Sequence, residues 1–565
     1  MSIVLKTALP LIARGPLQAL LSATQDPEAI QFKLLKDNLF KNRSSLFGLE
    51  HHFQGIKTVD DYRAAVPIRD YEGFRPYIDR MLQGQHPILT REKPQVYAST
   101  SGTTGKAKLL PVTESFRQSL SDLSRCWLTR TFEDHPTALD HQLLFPVSPA
   151  IEGYTPSGKP FGAMTGMTYL NNSILIKRKF ALPYKVMTIE SYDLRYYLML
   201  RLALEEQVSL ALTSNPSTWI RLAQMGYQNA ERLHRGIRDG TLGFLENEWE
   251  EFISEHDTTT MELIAQSFQP NPSRAKELDQ CIEQDGEAYL TSAWPHLGVI
   301  GCWLGGSAGI QAKLLSKYYR GATLRDVGYR ASEAAMSVPI ADDTAAGIPS
   351  ITVNFMEFIE ADRLDEEQPE TKLIHELEDG KEYGILLTTS SGLFRYDIND
   401  VIRVEGFINR CPLIAFVRKG RDMANLTGEK LHANHVISAM AHAEARAGVS
   451  YVNFTTTPDV DAMCYDLLVE TIDSRHSDAE LLRLRDHFDS ALQEENEEYL
   501  VKRKSGRLHP PRLHQMKHGW SDGLKRHDVQ HGMRDAQYKW KAIQLSWSDW
   551  SRSQVIDRVD SNGEP

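Results

Sequence analysis

The chain has 565 residues, 41% hydrophobic and 24% charged, proportions ordinary for folded globular proteins. Those proportions exclude a wholly disordered chain, and the absence of a Gly-x-y period or sustained heptads excludes a fibrous one. With 63 Lys and Arg against 75 Asp and Glu, the formal net charge of −12 argues against broad nucleic-acid binding, though a local basic pocket for a phosphate or carboxylate stays open.

From Leu5 to Phe47 the apolar spacing predicts helices, with Asp26-Pro27 as a break and a helix start. A further helical stretch covers Asp60 to Gly84. Val96–Thr100 reads as a short buried strand running into a Gly/Thr/Lys loop, and a helix follows from Glu114. Leu143–Val147 and Ser173–Lys177 read as strands, and 191–290 as mostly helical. Gly298–Gly306 is a strand ending in glycines, followed by a helix to Tyr319. Strands dominate from Thr323 to Val417, with Glu378-Asp379-Gly380 as a hairpin-type turn. Past Lys419-Gly420-Arg421-Asp422 come a helix (Ala433–Ala447), strands (Val452–Thr456, Tyr465–Glu470) and a charged helix from Asp478 to Lys502. The pattern predicts an α/β chain: a large domain over 1–419 with mainly parallel sheets and flanking helices, and a small mobile α+β domain over 420–565.

The five cysteines, Cys126, Cys281, Cys302, Cys411 and Cys464, are widely separated, with no C-x-x-C pair. A reducing compartment fits them better than a disulfide scaffold or a cysteine zinc site. The apolar N-terminus is cut by Arg14-Gly15-Pro16 and reads as amphipathic helix, not as a signal peptide. No other segment approaches the roughly 18 uncharged apolar residues of a membrane span, so a cytoplasmic protein without membrane partners is expected.

The sharpest local feature follows the first strand: Thr100, Ser101, Gly102, Thr103, Thr104, Gly105, Lys106, Ala107 and Lys108. Glycines let the backbone approach an anion, successive N–H groups can cradle phosphate oxygens, and the hydroxyls and lysines add donors and charge. It is not a Walker loop, which has four residues between its glycines where only two separate Gly102 from Gly105. The alternative is a surface turn with solvated lysines.

This stretch resembles the phosphate loop of the adenylate-forming superfamily, and two later motifs narrow the resemblance. Tyr329-Arg330-Ala331-Ser332-Glu333 resembles the Y-x-S-S-E element of the auxin-responsive Gretchen Hagen family of acyl acid–amido synthetases, with Ala331 replacing the first serine. Gly392-Leu393-Phe394-Arg395-Tyr396-Asp397-Ile398-Asn399-Asp400-Val401 resembles that family's G-L-Y-R-Y-x-x-G-D-V, with Phe394 and Asn399 departing from Tyr and Gly. The resemblance implies that the loop holds ATP phosphates, Tyr329 lies against adenine, Ser332 is nearby, and Glu333 takes the Mg²⁺ contact. It also implies that Asp400 accepts both ribose hydroxyls. The chemistry suits the residues: an aromatic face stacks a base, a carboxylate is a hard ligand for Mg²⁺, and its two oxygens match a vicinal diol.

Further elements follow in order. Gly305-Gly306-Ser307 stands where the superfamily has a Gly-Gly turn beside adenine, and Arg421 at the hinge joins the nucleotide-binding candidates. Gln537-Tyr538-Lys539 resembles the family's Q-Y-K, whose lysine reaches the site, but Trp540-Lys541 replaces the usual Pro-Arg. Arg125 and Trp127, on the helix after the loop, are candidates for acyl-substrate contact. His432, His435 and His442 lack a carboxylate or Cys that would complete a zinc pattern. The basic run Lys502-Arg503-Lys504 with Arg507 and Arg512 reads as solvated surface, with attraction of an acidic acceptor as the alternative.

The resemblance therefore implies a monomeric, ATP- and Mg²⁺-dependent ligase with Lys539 and Glu333 as catalytic groups. It would activate a carboxylic acid as an acyl adenylate and pass the acyl group to an amine, expected to be an amino acid. Two alternatives remain: an acyl-CoA ligase with a thiol acceptor, and a nucleotide-binding regulator without turnover.

Overall fold

The computed structural model describes residues 14–100, 108–189, 191–245, 268–306, 308–364, 366–420, 423–424, 426–427, 429, 431–473, 476–531, 533 and 538–559. Ser101, Gly102, Thr103, Thr104, Gly105 and Lys106 of the glycine loop, Ser307, Arg421 and Gln537 lie outside them.

Helix Pro27–Asn42 starts where Asp26-Pro27 places it: the Asp26 side chain accepts the Ala29 amide at 3.3 Å, and proline occupies a position whose N–H would be orphaned. Gln31 on this helix donates to the carbonyls of Ile351 and Asn354 and accepts from the Met356 amide, tying the helix to a six-stranded sheet. The stretch predicted from Asp60 is two helices, Val59–Ala65 and Tyr71–Leu82, the second capped by the Asp70 side chain. Pro67 between them lacks the amide that a continuous helix needs.

Strands Val96–Thr100 and Lys108–Val112, which flank the glycine loop in sequence, pair antiparallel with Thr100 opposite Lys108. They belong to a four-stranded sheet with Pro160–Gly162 and Gly153–Tyr154. Helix Glu114–Asp134 follows, capped by Thr113 and burying Phe116, Leu123, Cys126 and Trp127.

A second sheet is parallel throughout: Gln142–Leu144, Val208–Leu212, Val299–Cys302 and Thr323–Asp326, side by side in chain order. Val208–Leu212 interrupts the segment read as mostly helical. It is buried on both faces, and so lacks the apolar–polar alternation that marks a half-buried strand. Ser173–Lys177, predicted as a strand, is helical: the Ser173 hydroxyl caps helix Ile174–Lys177, and Ile174 and Leu175 face outward. The extended segment beside Leu143 is instead 179–181, where the Leu143 amide donates to Lys179 and its carbonyl accepts from Ala181.

The third sheet runs Phe355–Glu360, Glu382–Thr388, Tyr396–Ile408, Cys411–Lys419, Gly347–Pro349 and Ser337–Pro339. Gly380, with φ +75°, turns the chain into Glu382–Thr388, but the connection from the preceding strand is long, so Glu378–Gly380 is not a tight hairpin. Inside this sheet Glu357 pairs with Arg395 at 3.0 Å and Arg63 at 3.3 Å and accepts the Thr371 hydroxyl at 2.7 Å.

Two compact units emerge: Met1–Gly305 with Leu315–Phe416, and Gly306–Leu314 with Val417–Pro565. In the second, Tyr451–Asp459, Cys464–Thr471, Arg512–Met516 and Val555–Val559 form a mixed sheet. Helices Ala433–Ala447 and Asp478–Glu495 pack with it around Leu467, Val469, Leu484 and Phe488. The charged helix predicted to reach Lys502 breaks at Asn496, whose side chain caps a separate helix, Glu497–Lys504. No helix among the described residues is long and apolar enough to cross a membrane.

Truncating Glu357 strands the buried Arg395 guanidinium. Glu357→Ala is expected to destabilise the chain by about 3–5 kcal/mol, read by chemical denaturation; an unchanged midpoint would show that the pair carries no net load.

Candidate active site

The carboxyl ends of neighbouring parallel strands are where open α/β sheets bind ligands. Here Val299–Cys302 runs out into Trp303, Leu304, Gly305 and Gly306, and Thr323–Asp326 runs out into Val327 and the Tyr329–Glu333 motif. Gly328 permits the second exit. Its φ is +95°, and a Cβ there would lie 2.5 Å from the Ser337 carbonyl oxygen.

The two later motifs interlock. Tyr329 donates its hydroxyl to Asp400 Oδ2 at 2.5 Å, and Tyr396 donates its hydroxyl to Glu333 Oε1 at 3.1 Å. Each motif thus supplies one phenol and one carboxylate, and each phenol serves the other motif's acid. All four side chains are buried. Burial and the facing carboxylates Asp400 and Glu333 push the Tyr329 hydroxyl well above the ordinary tyrosine range, and burial with Glu333 does the same to Tyr396. The Tyr329 ring also packs at 5.4 Å from the ring of Phe416.

Both departures in the third motif have a physical reading. Phe394 is fully buried, stacked on Phe47 at 5.3 Å and edge-on to Phe53 at 4.9 Å, an apolar cluster with no need of a hydroxyl. Asn399 has φ +59° and its amide donates to Asp397 Oδ1; asparagine is the residue other than glycine that best tolerates this region. Ala331 donates its backbone amide to the Ala334 carbonyl, a bond independent of the side chain, and Ser332 is half-buried beside it.

Helix Tyr71–Leu82 joins this pair of motifs to the strand after the glycine loop. The Tyr71 hydroxyl donates to the Leu109 carbonyl at 3.3 Å and accepts the Leu109 amide at 3.0 Å, and Lys108 Nζ stands 5.3 Å from its ring centre. Phe74, on the same helix, packs its ring 5.8 Å from that of Tyr396.

The acyl-contact candidates separate. Arg125 faces outward and pairs with Asp122 at 3.3 Å. Trp127 is buried, its indole N–H on the Asp326 carbonyl at 2.6 Å, so it anchors the helix to the sheet. Sequence reasoning missed Asp326 and Trp303. Asp326 Oδ2 accepts the Leu304 amide at 2.6 Å and Oδ1 the Gly328 amide at 2.7 Å, while Trp303 Nε1 donates to the Gly328 carbonyl at 3.1 Å. A strand-end aspartate followed two residues later by glycine was the available signal.

In the second unit Lys539 is exposed between buried Tyr538 and Trp540. Trp540 explains the departure at its position: it meets Trp520 edge-on at 5.1 Å and donates its indole N–H to the Phe454 carbonyl at 2.6 Å. Of the basic run, Arg503 is tied to Asp489 and Arg512 to Asp466, so the solvated-surface reading does not hold for those two. His435 shares a hydrogen bond with Asn496, and no metal-holding cluster of three or more His, Cys, Asp or Glu occurs among the described residues.

With this geometry in view, the comparisons with known proteins decide the family. The sequence matches the GH3 family N-terminal domain over residues 16–324, its central domain over 347–419 and its C-terminal domain over 434–546. The chain belongs to the GH3 family. It is 23% identical over 550 residues to the indole-3-acetic acid-amido synthetase GH3.3 of Arabidopsis thaliana, covering 91% of this chain and 89% of that one. It is 22% identical over 552 residues to the 4-substituted benzoates-glutamate ligase GH3.12 of the same plant, covering 91% and 92%. The solved structure of the AtGH3.15 acyl acid amido synthetase in complex with 2,4-DB superposes with a TM-score of 0.83, at 21% identity over 97% of both chains. A 2-hydroxyisobutyryl-CoA ligase in the postadenylation state shares the wider adenylate-forming fold, with a TM-score of 0.50 at 10% identity.

Tyr329→Phe removes a charge-assisted donor from Asp400 and is expected to lower stability by about 1–3 kcal/mol, measured by equilibrium denaturation at neutral pH. The folded chain holds this phenol protonated where an unfolded tyrosine ionises, at about 10. Its contribution is full below that value and declines as pH rises above it, so the variant should show a shallower alkaline loss of stability.

Proposed function

We propose that this GH3 chain is an ATP-dependent acyl acid–amido synthetase that activates a carboxylic acid as an acyl adenylate and transfers the acyl group to an amino acid. The observation that carries the reading is the interlock of Tyr329 and Glu333 with Tyr396 and Asp400 at the carboxyl end of a parallel sheet. Helix Tyr71–Leu82 ties it to the strand that follows the glycine loop. The amido synthetase and ligase relatives favour an amine over a thiol as acceptor.

A carboxylate is a poor electrophile, because its charge repels nucleophiles and its leaving group would be oxide. Attack of a carboxylate oxygen on the α-phosphorus of ATP forms the acyl–phosphate bond and expels pyrophosphate. The amine nitrogen then attacks the carbonyl, loses a proton, and AMP departs with the carbon–oxygen bonding pair. In this scheme the loop Ser101–Lys106 with Lys108 cradles the phosphates. Tyr329, with Gly305, Gly306, Ser307 and Ser332, flanks adenine, Asp400 takes the ribose diol beside the Tyr329 hydroxyl it already accepts, and Arg421 adds charge near the hinge. A carboxylate carries more acceptor positions than one phenol fills, so the Tyr329 bond leaves room for the diol.

Mg²⁺ suits this site as a hard cation that takes one carboxylate and completes its shell with phosphates and water. Glu333 is the buried acid that would hold it. Bound there, it would neutralise phosphate charge. Lys539, exposed on the second unit, is assigned to the acyl carboxylate and α-phosphate during adenylation, with the small domain rotating about the segment near Gly420 before amine attack. A monomer in the cytoplasm completes the proposal.

The test is a pyrophosphate-release screen over a panel of carboxylic acids, followed by mass spectrometry with pooled amino acids. Pyrophosphate release with an amide product supports the reading. Thioester formation from CoA would move the chain to the acyl-CoA ligases, and no pyrophosphate with any acid would leave a nucleotide-binding regulator. Within the scheme, Lys539→Ala should slow pyrophosphate release about 100–1000-fold, the worth of one preorganised contact to transition-state charge. Chemically prepared acyl adenylate should largely bypass that defect. A variant that adenylates at the wild-type rate would remove Lys539 from the first step.

A further inference from the structure

Outside the four interlocked side chains, one buried acid joins the exits of two neighbouring parallel strands on the nucleotide side of the site. Asp326 ends strand Thr323–Asp326 and is 3% exposed. Its carboxylate reaches across to the neighbouring strand's exit, where it accepts the amides of Leu304, at 2.6 Å, and Gly305. It also reaches forward along its own chain to the Gly328 amide at 2.7 Å. Its main-chain carbonyl accepts the Trp127 indole from helix Glu114–Asp134. Trp303 closes the arrangement from the other side by donating to the Gly328 carbonyl, and the Val327 amide donates to the Cys302 carbonyl.

We propose that Asp326 is a positioning residue: its carboxylate clasps the Leu304–Gly305 turn to the Gly328–Tyr329 exit and so sets the gap into which a nucleoside fits. The inference rests on the nucleotide-binding reading above and deepens it. One side chain's two oxygens thus bond both exits, and the two exits carry the groups assigned to adenine on either side. A carboxylate is suited to this because both oxygens accept; an amide would turn one N–H against a backbone N–H.

The ionised form is the one the clasp needs, and its surroundings make that form conditional. Burial raises the Asp326 carboxyl to about 7, against the three amides and Arg330 on its own loop, which pull it down. Cys302 on the adjacent strand is itself pushed up by burial and by Asp326, and so stays a neutral thiol. Trp127, from the packed helix, brings no charge. Protonation places a hydrogen on an oxygen that faces a backbone N–H, so the clasp loosens as pH falls through about 7. Stability responds with the opposite sign. The folded value lies above that of an unfolded aspartate, so this group's contribution is full in acid and is lost as pH rises through about 7.

Adenosine is the probe, because it has no group that titrates near neutrality. Calorimetric binding to the full chain between about pH 6 and about pH 8.5 is expected to weaken roughly tenfold toward acid for wild type. Asp326→Asn should bind about tenfold more weakly than wild type at the alkaline end and show no pH slope. Its thermal midpoint there should equal or exceed that of wild type, since a buried charge is gone. A wild-type affinity independent of pH, or an Asp326→Asn variant with wild-type affinity, overturns the clasp while leaving nucleotide binding standing. The wild-type profile alone decides this if the variant does not fold. Failure of wild type to bind adenosine at any pH overturns the nucleotide reading and the clasp with it.

Discussion

Two buried carboxylates, each hydrogen-bonded by a tyrosine from the other's sequence motif, are the constraint on which the site depends. An ionised acid inside a protein is costly unless donors replace water, and Tyr329 and Tyr396 supply such donors to Asp400 and Glu333. The reciprocity has a consequence for the fold. Neither the Tyr329–Glu333 loop, at the end of the parallel sheet, nor the Tyr396–Asp400 stretch, in the six-stranded sheet, can shift without stranding an acid of its own and one of its partner's. The site is therefore a joint between two sheets, and the spacing of four residues from phenol to acid in both motifs is what lets each serve the other.

Support for that joint extends outward through ordinary side-chain chemistry. Arg395, one residue before Tyr396, is fixed by Glu357 and by the carbonyl of Val66, which links the third motif to the N-terminal helices. Tyr71 occupies both hydrogen-bonding groups of Leu109 on an edge strand, whose outer side would otherwise be bare. The strand after the glycine loop is thereby held in register with the joint. In the second unit Trp540 does the comparable work, seating its segment along strand Tyr451–Asp459, with the Thr456 amide on the Ala542 carbonyl, so that Lys539 projects from a fixed base.

Much of this was legible in the sequence, for identifiable reasons. Caps written into the chain, such as Asp26 before Pro27, gave helix starts, Val96–Thr100 stood out as a short strand running into a glycine-bearing loop, and Gly298–Gly306 as a strand ending in glycines. The motif residues Tyr329, Glu333 and Asp400 could be picked out by the resemblance of their segments to family motifs standing in the same order. Their mutual hydrogen bonds could not, because sequence spacing does not say which phenol crosses to which acid. Val208–Leu212 was hidden because a strand covered on both faces looks like buried helix. Ser173–Lys177 misled because a run of Ile and Leu reads as strand until a serine cap and solvent exposure of Ile174 and Leu175 decide otherwise. Asp326 escaped notice because its work is done on backbone amides, one of them beyond a neighbouring strand, and Trp127 and Arg125, two residues apart on one helix, proved to face opposite environments.

The central claim is that this joint brings a carboxylic acid and ATP together for adenylation. The most direct measurement follows one oxygen atom. A substrate acid labelled with ¹⁸O in its carboxylate is turned over with ATP and an amino acid, and the nucleotide product is weighed by mass spectrometry. Acyl adenylation transfers one labelled oxygen into AMP, since the bond broken on amide formation is carbon to oxygen. Label found in orthophosphate alongside ADP, or AMP formed without label, would contradict the account.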